Sequence, residues 1–303
     1  MSRNVPRNVA SSTEPERLRT GGGSRQIRAA DDSASTRPSR VSSRQLDDIA
    51  GRLTDHDQAV VLLLSEVRLA TGFQIARRLW GSDVPSDSGA WAARRALWRL
   101  EEWRVVDRLP RRVGGVRGGS TSLVFGLGPV GTRLLARLGY ETKRLGTPGE
   151  RHVRHTLAIT ELVVRLHEAM HAGDLDLIEL ETEPACWRGF LGLMGARHIL
   201  KPDLFVRIGA GAFEDRWFVE VDLATEARGT LVAKAKRYVE HVRSGTEQQD
   251  HDIDPRVLWT VPNRRPAEQI QDALSSLPAA AQRLFVIWPY DEVIGRLGAE
   301  AGS

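Results

Sequence analysis

Three acidic residues in the middle of the sequence have the spacing of a carboxylate cluster. Asp203 opens a run rich in Val, Phe and Ile, and Glu220 and Asp222 stand two residues apart in the next such run. Runs of this composition predict β-strands, in which side chains two residues apart point to the same face. We therefore expect Glu220 and Asp222 to share one face of a sheet, with Asp203 beside them.

The segment between the two runs predicts how they pair. Residues 209–212 read GAGA and predict the turn of a β-hairpin in which Ile208 pairs with about Arg216. In that register Asp203 lies across from Val221 and diagonal to the other two acids, at roughly 7–8 Å or less between Cβ atoms. The three carboxylates would then converge on one point.

Converging carboxylates need a compensating charge. Their mutual repulsion in a half-buried sheet is costly unless protons or a cation neutralise it. Hard divalent cations such as Mg²⁺ or Mn²⁺ take oxygen ligands, so the pattern predicts a magnesium or manganese site formed by Asp203, Glu220 and Asp222. The alternative is an edge strand whose acids face water. Apolar residues on both faces of the second run, including Trp217 and Phe218, favour the metal site because they indicate a strand covered on both sides.

Length and composition limit the class of protein. The 303 residues are enough for two domains, and the net charge of +4 with an excess of arginine favours a polyanionic partner. The single Cys186 excludes an intramolecular disulfide, and no Cys/His cluster has the spacing of a zinc site. There is no apolar stretch of the length of a membrane span and no apolar secretory segment, so we expect a cytoplasmic protein.

The sequence predicts four regions. Residues 1–44 contain almost no large apolar side chain and predict a disordered basic tail, whose arginines could contact DNA phosphates or simply be solvated. Residues 45–140 and 150–292 predict two folded domains, and residues 293–303 a tail.

The first domain carries a helix with an unusual outer face. Helices are predicted at residues 55–67, 71–80 and about 88–103. In the third helix the 3.6-residue period places a core stripe on one side, formed by Ala93, Ala96, Leu97 and Leu100. The opposite side collects arginines and tryptophans: Trp91, Arg94, Arg95, Trp98 and Arg99. Such a face is poorly suited to plain solvent exposure, and it predicts a binding surface.

Two strands, at residues 105–109 and 122–127, follow the third helix and enclose a loop rich in glycine and arginine. The order helix, helix, helix, strand, basic loop, strand resembles a winged helix-turn-helix over residues 54–127. The resemblance implies that the third helix enters the major groove of double-stranded DNA, where Arg94, Arg95, Trp98 and Arg99 contact it. The loop would place Arg111, Arg112 and Arg117 on the DNA backbone or in the minor groove. The alternative is a winged helix used for protein contacts.

The second domain predicts a mixed sheet between helices. Its element order is α-β-β-β-α-β-α-β, an antiparallel meander followed by a crossover that gives a parallel neighbour. The fold class is therefore α+β for the whole chain. On the first helix of this domain, His155 lies on the apolar face and is expected to be a hydrogen-bonded core histidine.

This order, with Pro202-Asp203 on one strand and Glu220-x-Asp222 on the next, resembles the PD-(D/E)xK nuclease-like superfamily over about residues 151–290. The resemblance implies two acids that hold a divalent metal and a lysine, two residues beyond the second acid, that assists an attacking water. Asp222 occupies the position of that lysine. Lysines on the following helix, Lys234 and Lys236, are candidates to replace it, and Lys234 is preferred.

The combination also resembles the replication-relaxation family of plasmid and mobile-element proteins. The chain carries Pro202-Asp203, then residues 220–226 (EVDLATE), then Lys234 and Tyr238 spaced K-x-x-x-Y, with His155-Thr156-Leu157 on an earlier helix. The resemblance implies a protein that binds double-stranded DNA in replication or mobilisation, together with other replication proteins. It leaves two interpretations open: a magnesium-dependent DNA endonuclease with Asp203, Glu220, Asp222 and Lys234 as its catalytic residues, or a non-catalytic transcriptional or accessory regulator. A protein-interaction scaffold is a third.

Overall fold

The computed structural model describes residues 41–81, 87–109, 123–140, 148–192, 195–210, 213–251 and 253–301. Residues 41–303 group into one compact unit. Helices and a mixed sheet alternate along it, which confirms the α+β class. Residues 1–40, most of the expected basic tail, lie outside the described residues, and the first helix begins at Ser43.

Among its described residues, the N-terminal part has five helices and a three-stranded sheet. Their bounds are α1 (Ser43–Arg52), α2 (Asp55–Val67), β1 (Leu69–Thr71), α3 (Gly72–Trp80), α4 (Asp87–Glu102), β2 (Val106–Arg108), β3 (Val124–Leu127) and α5 (Pro129–Arg137). The sheet has the order β1-β3-β2 and is antiparallel throughout. The first three helices begin with capping boxes at Ser42, Thr54 and Thr71. In each, the side-chain oxygen of this residue accepts a hydrogen bond from the backbone N–H three residues later, and the side chain of that later residue accepts one from the backbone N–H of the first.

The core stripe predicted for α4 is confirmed. Ala93, Ala96, Leu97 and Leu100 are all buried, as the 3.6-residue period requires for one face of a packed helix. The opposite face of the same helix is therefore left to the solvent.

The C-terminal part is built on a five-stranded sheet. Its elements are α6 (Glu150–Ala172), β4 (Leu177–Thr182), β5 (Arg188–Leu191), β6 (Arg197–Leu200), β7 (Leu204–Ala210), β8 (Phe213–Val221), α7 (Arg228–Ser244), α8 (Thr246–His251), β9 (Arg256–Val261), α9 (Arg264–Leu274), α10 (Ala279–Gln282), β10 (Phe285–Pro289), a 3₁₀ turn (Tyr290–Glu292) and α11 (Val293–Ala301). The strand order is β10-β9-β8-β7-β4. β4, β7 and β8 are antiparallel, and β8, β9 and β10 are parallel, which confirms the predicted mixed sheet.

The hairpin register differs from the prediction by one residue. Ile208 pairs with Asp215, not with Arg216, and Leu204 pairs with Val219. The strands continue through Gly209 and Ala210, and Ala210 pairs with Phe213, so the first half of the expected turn belongs to β7. Residues 211 and 212, the second half, lie outside the described residues. One step beyond Leu204, Asp203 is therefore level with Glu220 and not with Val221.

The largest cluster of buried apolar side chains extends through both parts. Its buried side chains run from Leu46 in α1 to Leu297 in α11, and they include residues of both sheets. The side chain of Gln74 in α3 donates to the Leu157 carbonyl of α6 (3.0 Å), and the Thr160 hydroxyl of α6 donates to the Leu69 carbonyl (2.7 Å). Side chains thus pack across the predicted domain boundary at residues 140–150.

The C-terminal end corrects one expectation. Residues 293–301 are not a tail but the helix α11, in which Val293 and Leu297 are almost fully buried. The helix packs against α6 and β7, and the apolar pair four residues apart holds it there because both side chains face the core.

Candidate functional site

The carboxyl groups of Asp203 and Glu220 lie side by side on neighbouring strands. Asp203 directly precedes β7, and Glu220 is the penultimate residue of β8. Both are buried, with only 6% and 1% of their surface exposed. Two carboxylates removed from water are costly unless each oxygen finds a donor, so their surroundings determine what they can do.

Glu220 is held by two side chains from α7. Its Oε1 accepts a hydrogen bond from the Tyr238 hydroxyl (2.5 Å), and its Oε2 accepts one from Lys234 Nζ (2.9 Å). Lys234 and Tyr238 are four residues apart and therefore point in the same direction from the helix. Burial raises the pKa of Glu220 to about 7, and the positive charge of Lys234 opposes that rise.

Lys234 is the lysine that reaches the acids. Besides Glu220 it contacts Glu226 Oε1 at 3.2 Å, whereas Lys236 on the same helix is exposed to solvent. Burial acts to lower the pKa of Lys234, but the carboxylates of Glu220, Asp203 and Glu226 raise it above its ordinary value. The ammonium group therefore stays charged and supplies the cation that the buried acids require.

Asp203 has its own pair of donors. Its Oδ2 accepts the backbone N–H of Val221 (2.8 Å), and its Oδ1 lies 3.1 Å from Nε2 of His155 on α6. The hydrogen bond to Asp203 raises the pKa of His155 and burial opposes it. His155 is therefore not simply a core histidine, since it faces the acid pair and about a third of its side chain is exposed.

Asp222 stands apart from the other two acids. It follows β8, its backbone N–H donates to the Thr260 carbonyl (2.9 Å), and its Oδ1 accepts the backbone N–H of Thr225 (3.2 Å). Burial raises the pKa of Asp222, and the hydrogen bonds from the backbone of Thr225 and Ala224 to its carboxylate partly offset that rise. Asp222 thus shapes the turn that leads from β8 towards α7.

The donor set determines which metal could fit. Within the described ranges, no group of three or more His, Cys, Asp or Glu side chains is placed to hold a metal ion. The adjacent carboxylates of Asp203 and Glu220 still offer hard oxygen donors. Magnesium commonly binds through one or two carboxylates and completes its shell with water and substrate phosphates. The pair fits an ion of that kind, whereas a cage made by protein side chains alone is not formed by these residues.

Two residues that contact the acid pair or its lysine were not predicted as site residues, although both lie in sequence motifs. Tyr238 belongs to the K-x-x-x-Y spacing and Glu226 closes the EVDLATE segment. In the structure the Tyr238 hydroxyl donates to Glu220, and Glu226 accepts a second hydrogen bond from Lys234, which also donates to Glu220. Within the described part of the chain, the buried Oε2 of Glu226 has no hydrogen-bond partner.

The outer face of α4 is exposed as predicted. Trp98 is 77% and Trp91 56% exposed, and Arg94 and Arg95 are exposed between them. The guanidinium of Arg94 lies 5.5 Å from the centroid of the Trp91 ring, at the distance of a cation–π contact.

Arg99 differs from the other arginines of that face. Its Nη2 donates to both carboxylate oxygens of Asp57, at 2.7 and 2.9 Å, and the Asp57 side chain is fully buried at the start of α2. Arg99 therefore joins two helices, and a contact with DNA would compete with that ion pair. Arg111, Arg112 and Arg117, the predicted wing arginines, lie outside the described residues.

Fold and site together define a class of protein. It is a mixed α+β protein in which a small helical and β-sheet part shares its core with a larger mixed sheet. The larger sheet carries a buried Asp–Glu pair that a lysine of helix α7 contacts. The family model described as replication-relaxation matches residues 62–257, and the chain belongs to this family. The match includes α4 and every residue of the carboxylate cluster. Searches of curated proteins and of solved structures found no match.

Among the described residues, no helix combines the length and the apolar character needed to cross a membrane.

Proposed function

We propose that this protein binds double-stranded DNA and acts in the replication or mobilisation of a plasmid or another mobile element. The family gives the biological setting. The observation that carries DNA binding is the exposed face of α4, where Arg94 and Arg95 stand between two exposed tryptophans in a segment, residues 91–98, whose sequence contains no acid. A polyanion such as DNA interacts with clustered arginines and exposed tryptophans more favourably than water does.

The elements around α4 support a winged helix-turn-helix. The element order along the chain is α2, β1, α3, α4, β2, β3. The three strands form one sheet in the order β1-β3-β2. In a winged helix-turn-helix of this order, α4 would be the helix that enters the major groove. The loop between β2 and β3 would bring Arg111, Arg112 and Arg117 to the phosphates.

Removing the exposed arginines tests this proposal without disturbing the fold. The double variant Arg94→Ala/Arg95→Ala should weaken duplex binding strongly and should reduce the slope of log K against log salt by about 2, one unit for each phosphate contact. The readout is fluorescence anisotropy of a labelled duplex over a salt series. Arg99 is left intact because its loss would also break the ion pair to Asp57.

A matched control separates this face from general charge. Arg243 and Arg283 are exposed elsewhere, and their double alanine variant removes the same charge. Equal loss of affinity in both double variants would contradict the assignment of α4 as the DNA-binding helix.

A second candidate function is metal-dependent hydrolysis of a phosphodiester. The specific observation in its favour is that Lys234 of α7 donates to Glu220, where it would serve in place of the lysine whose expected position Asp222 occupies. Asp203 and Glu220 would hold Mg²⁺ or Mn²⁺, while Asp222, which stands apart from them, would keep its place in the turn after β8. When bound, the metal would act as a Lewis acid towards the phosphate and its attacking water.

The protein groups have separable tasks in such a reaction. Lys234 remains charged and would offset the negative charge that develops on the phosphate. Tyr238 holds Glu220 and the Val221 amide holds Asp203, so both carboxylates are oriented before substrate arrives. A non-catalytic accessory regulator would keep the same contacts for stability alone.

Conversion of supercoiled plasmid to nicked or linear DNA distinguishes the two interpretations. The enzyme requires Mg²⁺ or Mn²⁺ and loses activity on Glu220→Gln, which keeps the volume of the buried side chain but removes the negative charge. Glu268→Gln, on the exposed face of α9, is the control and should leave the rate unchanged. Intact plasmid at high protein and metal concentration, together with salt-sensitive DNA binding, would support the regulator instead.

A further inference from the structure

Two tryptophans of α4 have no role in the core. Trp98 and Trp91 are 77% and 56% exposed, whereas Trp217 and Trp259 are fully buried and Trp288 nearly so. An indole ring contributes 150–250 Å² of surface, most of it apolar, and exposing it is unfavourable. Two such rings on one helix therefore indicate a surface that is covered when a ligand binds.

The two rings are placed in line with each other along α4. They are seven residues apart, so they lie on the same face at an axial distance of about 10.5 Å. This is roughly three times the 3.4 Å rise per nucleotide of a stacked strand. Arg94 and Arg95 lie on the same face between the rings, and residues 91–98 (WAARRALW) contain no acid.

The chemistry of indole favours unpaired bases over a closed duplex. In B-DNA the ring faces of the bases are stacked on one another, and the major groove presents only their edges. Tryptophan offers one N–H donor to those edges, whereas its flat face matches the face of any base. Stacking on an exposed base covers the indole more fully than an edge contact does.

We propose that the α4 face binds DNA whose bases are unpaired over about three nucleotides, with Trp91 and Trp98 stacking on bases and Arg94 and Arg95 binding phosphates between them. The inference rests on the proposed DNA binding, and for the α4 face it replaces insertion into the groove of a closed duplex by contact with unpaired bases. A locally melted segment flanked by duplex provides both the unpaired bases and the double-stranded partner.

Three labelled probes of one sequence test the proposal with the full chain: a matched duplex, the same duplex with a central bubble of three mismatched pairs, and the single strand. Anisotropy titrations should show tighter binding to the bubble than to the duplex. Trp98→Ala should weaken bubble binding by roughly 10-fold, as expected for one lost base stack, and duplex binding by less than about 2-fold. Trp98→Phe should recover much of the bubble affinity because it retains an aromatic face.

An exposed aromatic side chain away from α4 serves as the control. Phe213, at the end of the β7–β8 hairpin, is 79% exposed, and Phe213→Ala should bind all three probes like the wild type. Circular dichroism confirms that each variant is folded.

The outcomes separate this inference from the proposed function. Equal affinity for bubble and duplex, or a Trp98→Ala variant that loses affinity for all probes equally, overturns the stacking proposal while DNA binding stands. Unchanged binding of Trp98→Ala to every probe also overturns it and leaves the face to a protein partner. Absence of binding to any probe at low salt overturns both.

Discussion

At the scale of single residues, the buried ion pair between Glu220 and Lys234 governs the site. Glu220 is 1% exposed, and the side chain of Lys234 is about 29% exposed. A buried carboxylate keeps its charge only beside a compensating cation or strong donors, and here Lys234 and Tyr238 provide them. The lysine therefore has two tasks that any variant disturbs together: it stabilises the folded chain and it holds positive charge next to two acids.

The stability of Lys234→Met should depend on pH in a defined direction. Burial already raises the pKa of Glu220 to about 7 from its ordinary 4.5, against the opposing effect of Lys234. Without the lysine that opposing effect is lost, so the folded-state pKa rises further. In both proteins the unfolded chain loses this proton first, so the contribution of Glu220 to the free energy of unfolding falls as pH rises from about 4.5. In the wild type this fall ends near pH 7, whereas in Lys234→Met it continues to higher pH.

Urea unfolding at several pH values in the presence of a chelator measures this effect. Lys234→Met should be closest to wild type near pH 5 and increasingly unstable towards pH 8. Lys236→Met, on the exposed side of the same helix, should follow the wild type at every pH. A pH-independent loss in Lys234→Met would contradict the account of a charge-compensated Glu220.

At the scale of elements, periodicity predicted what each segment buries, and it could not predict which segments meet. The period of 3.6 identified the core stripe of α4, and the period of 2 placed Glu220 in a strand beside Asp203. The hairpin register was wrong by one residue because Gly209 and Ala210 are compatible with both turn and strand. The contact between His155 and Asp203 spans 48 residues, and no local spacing encodes it.

Lys234 is a second case in which local sequence does not determine a tertiary contact. The sequence offered Lys234 and Lys236 and favoured Lys234, but only the phase of α7 against the sheet shows which of the two reaches the acids. That phase is set by Leu231, Ala235 and Tyr238, whose burial turns Lys234 inwards and Lys236 outwards. The identity of the lysine at the acids is thus a consequence of tertiary packing.

At the scale of the whole molecule, helix α6 connects the two parts. Near the N-terminal end of α6, His155 contacts Asp203. Closer to its C-terminal end, Glu161 and Glu168 form ion pairs with Arg77 of α3. The shared core continues to α11, which the sequence did not distinguish from a tail. The α4 face and the carboxylate cluster are therefore held in one packed unit rather than on independently moving domains.

The claim on which the catalytic interpretation depends is that Asp203 and Glu220 form one cation site. Isothermal titration of Mn²⁺ into the full chain and into Asp203→Asn tests it without knowledge of the DNA substrate. The account predicts one saturable binding event in the wild type that Asp203→Asn removes. Absence of binding to the wild type, or equal binding to both proteins, would contradict it.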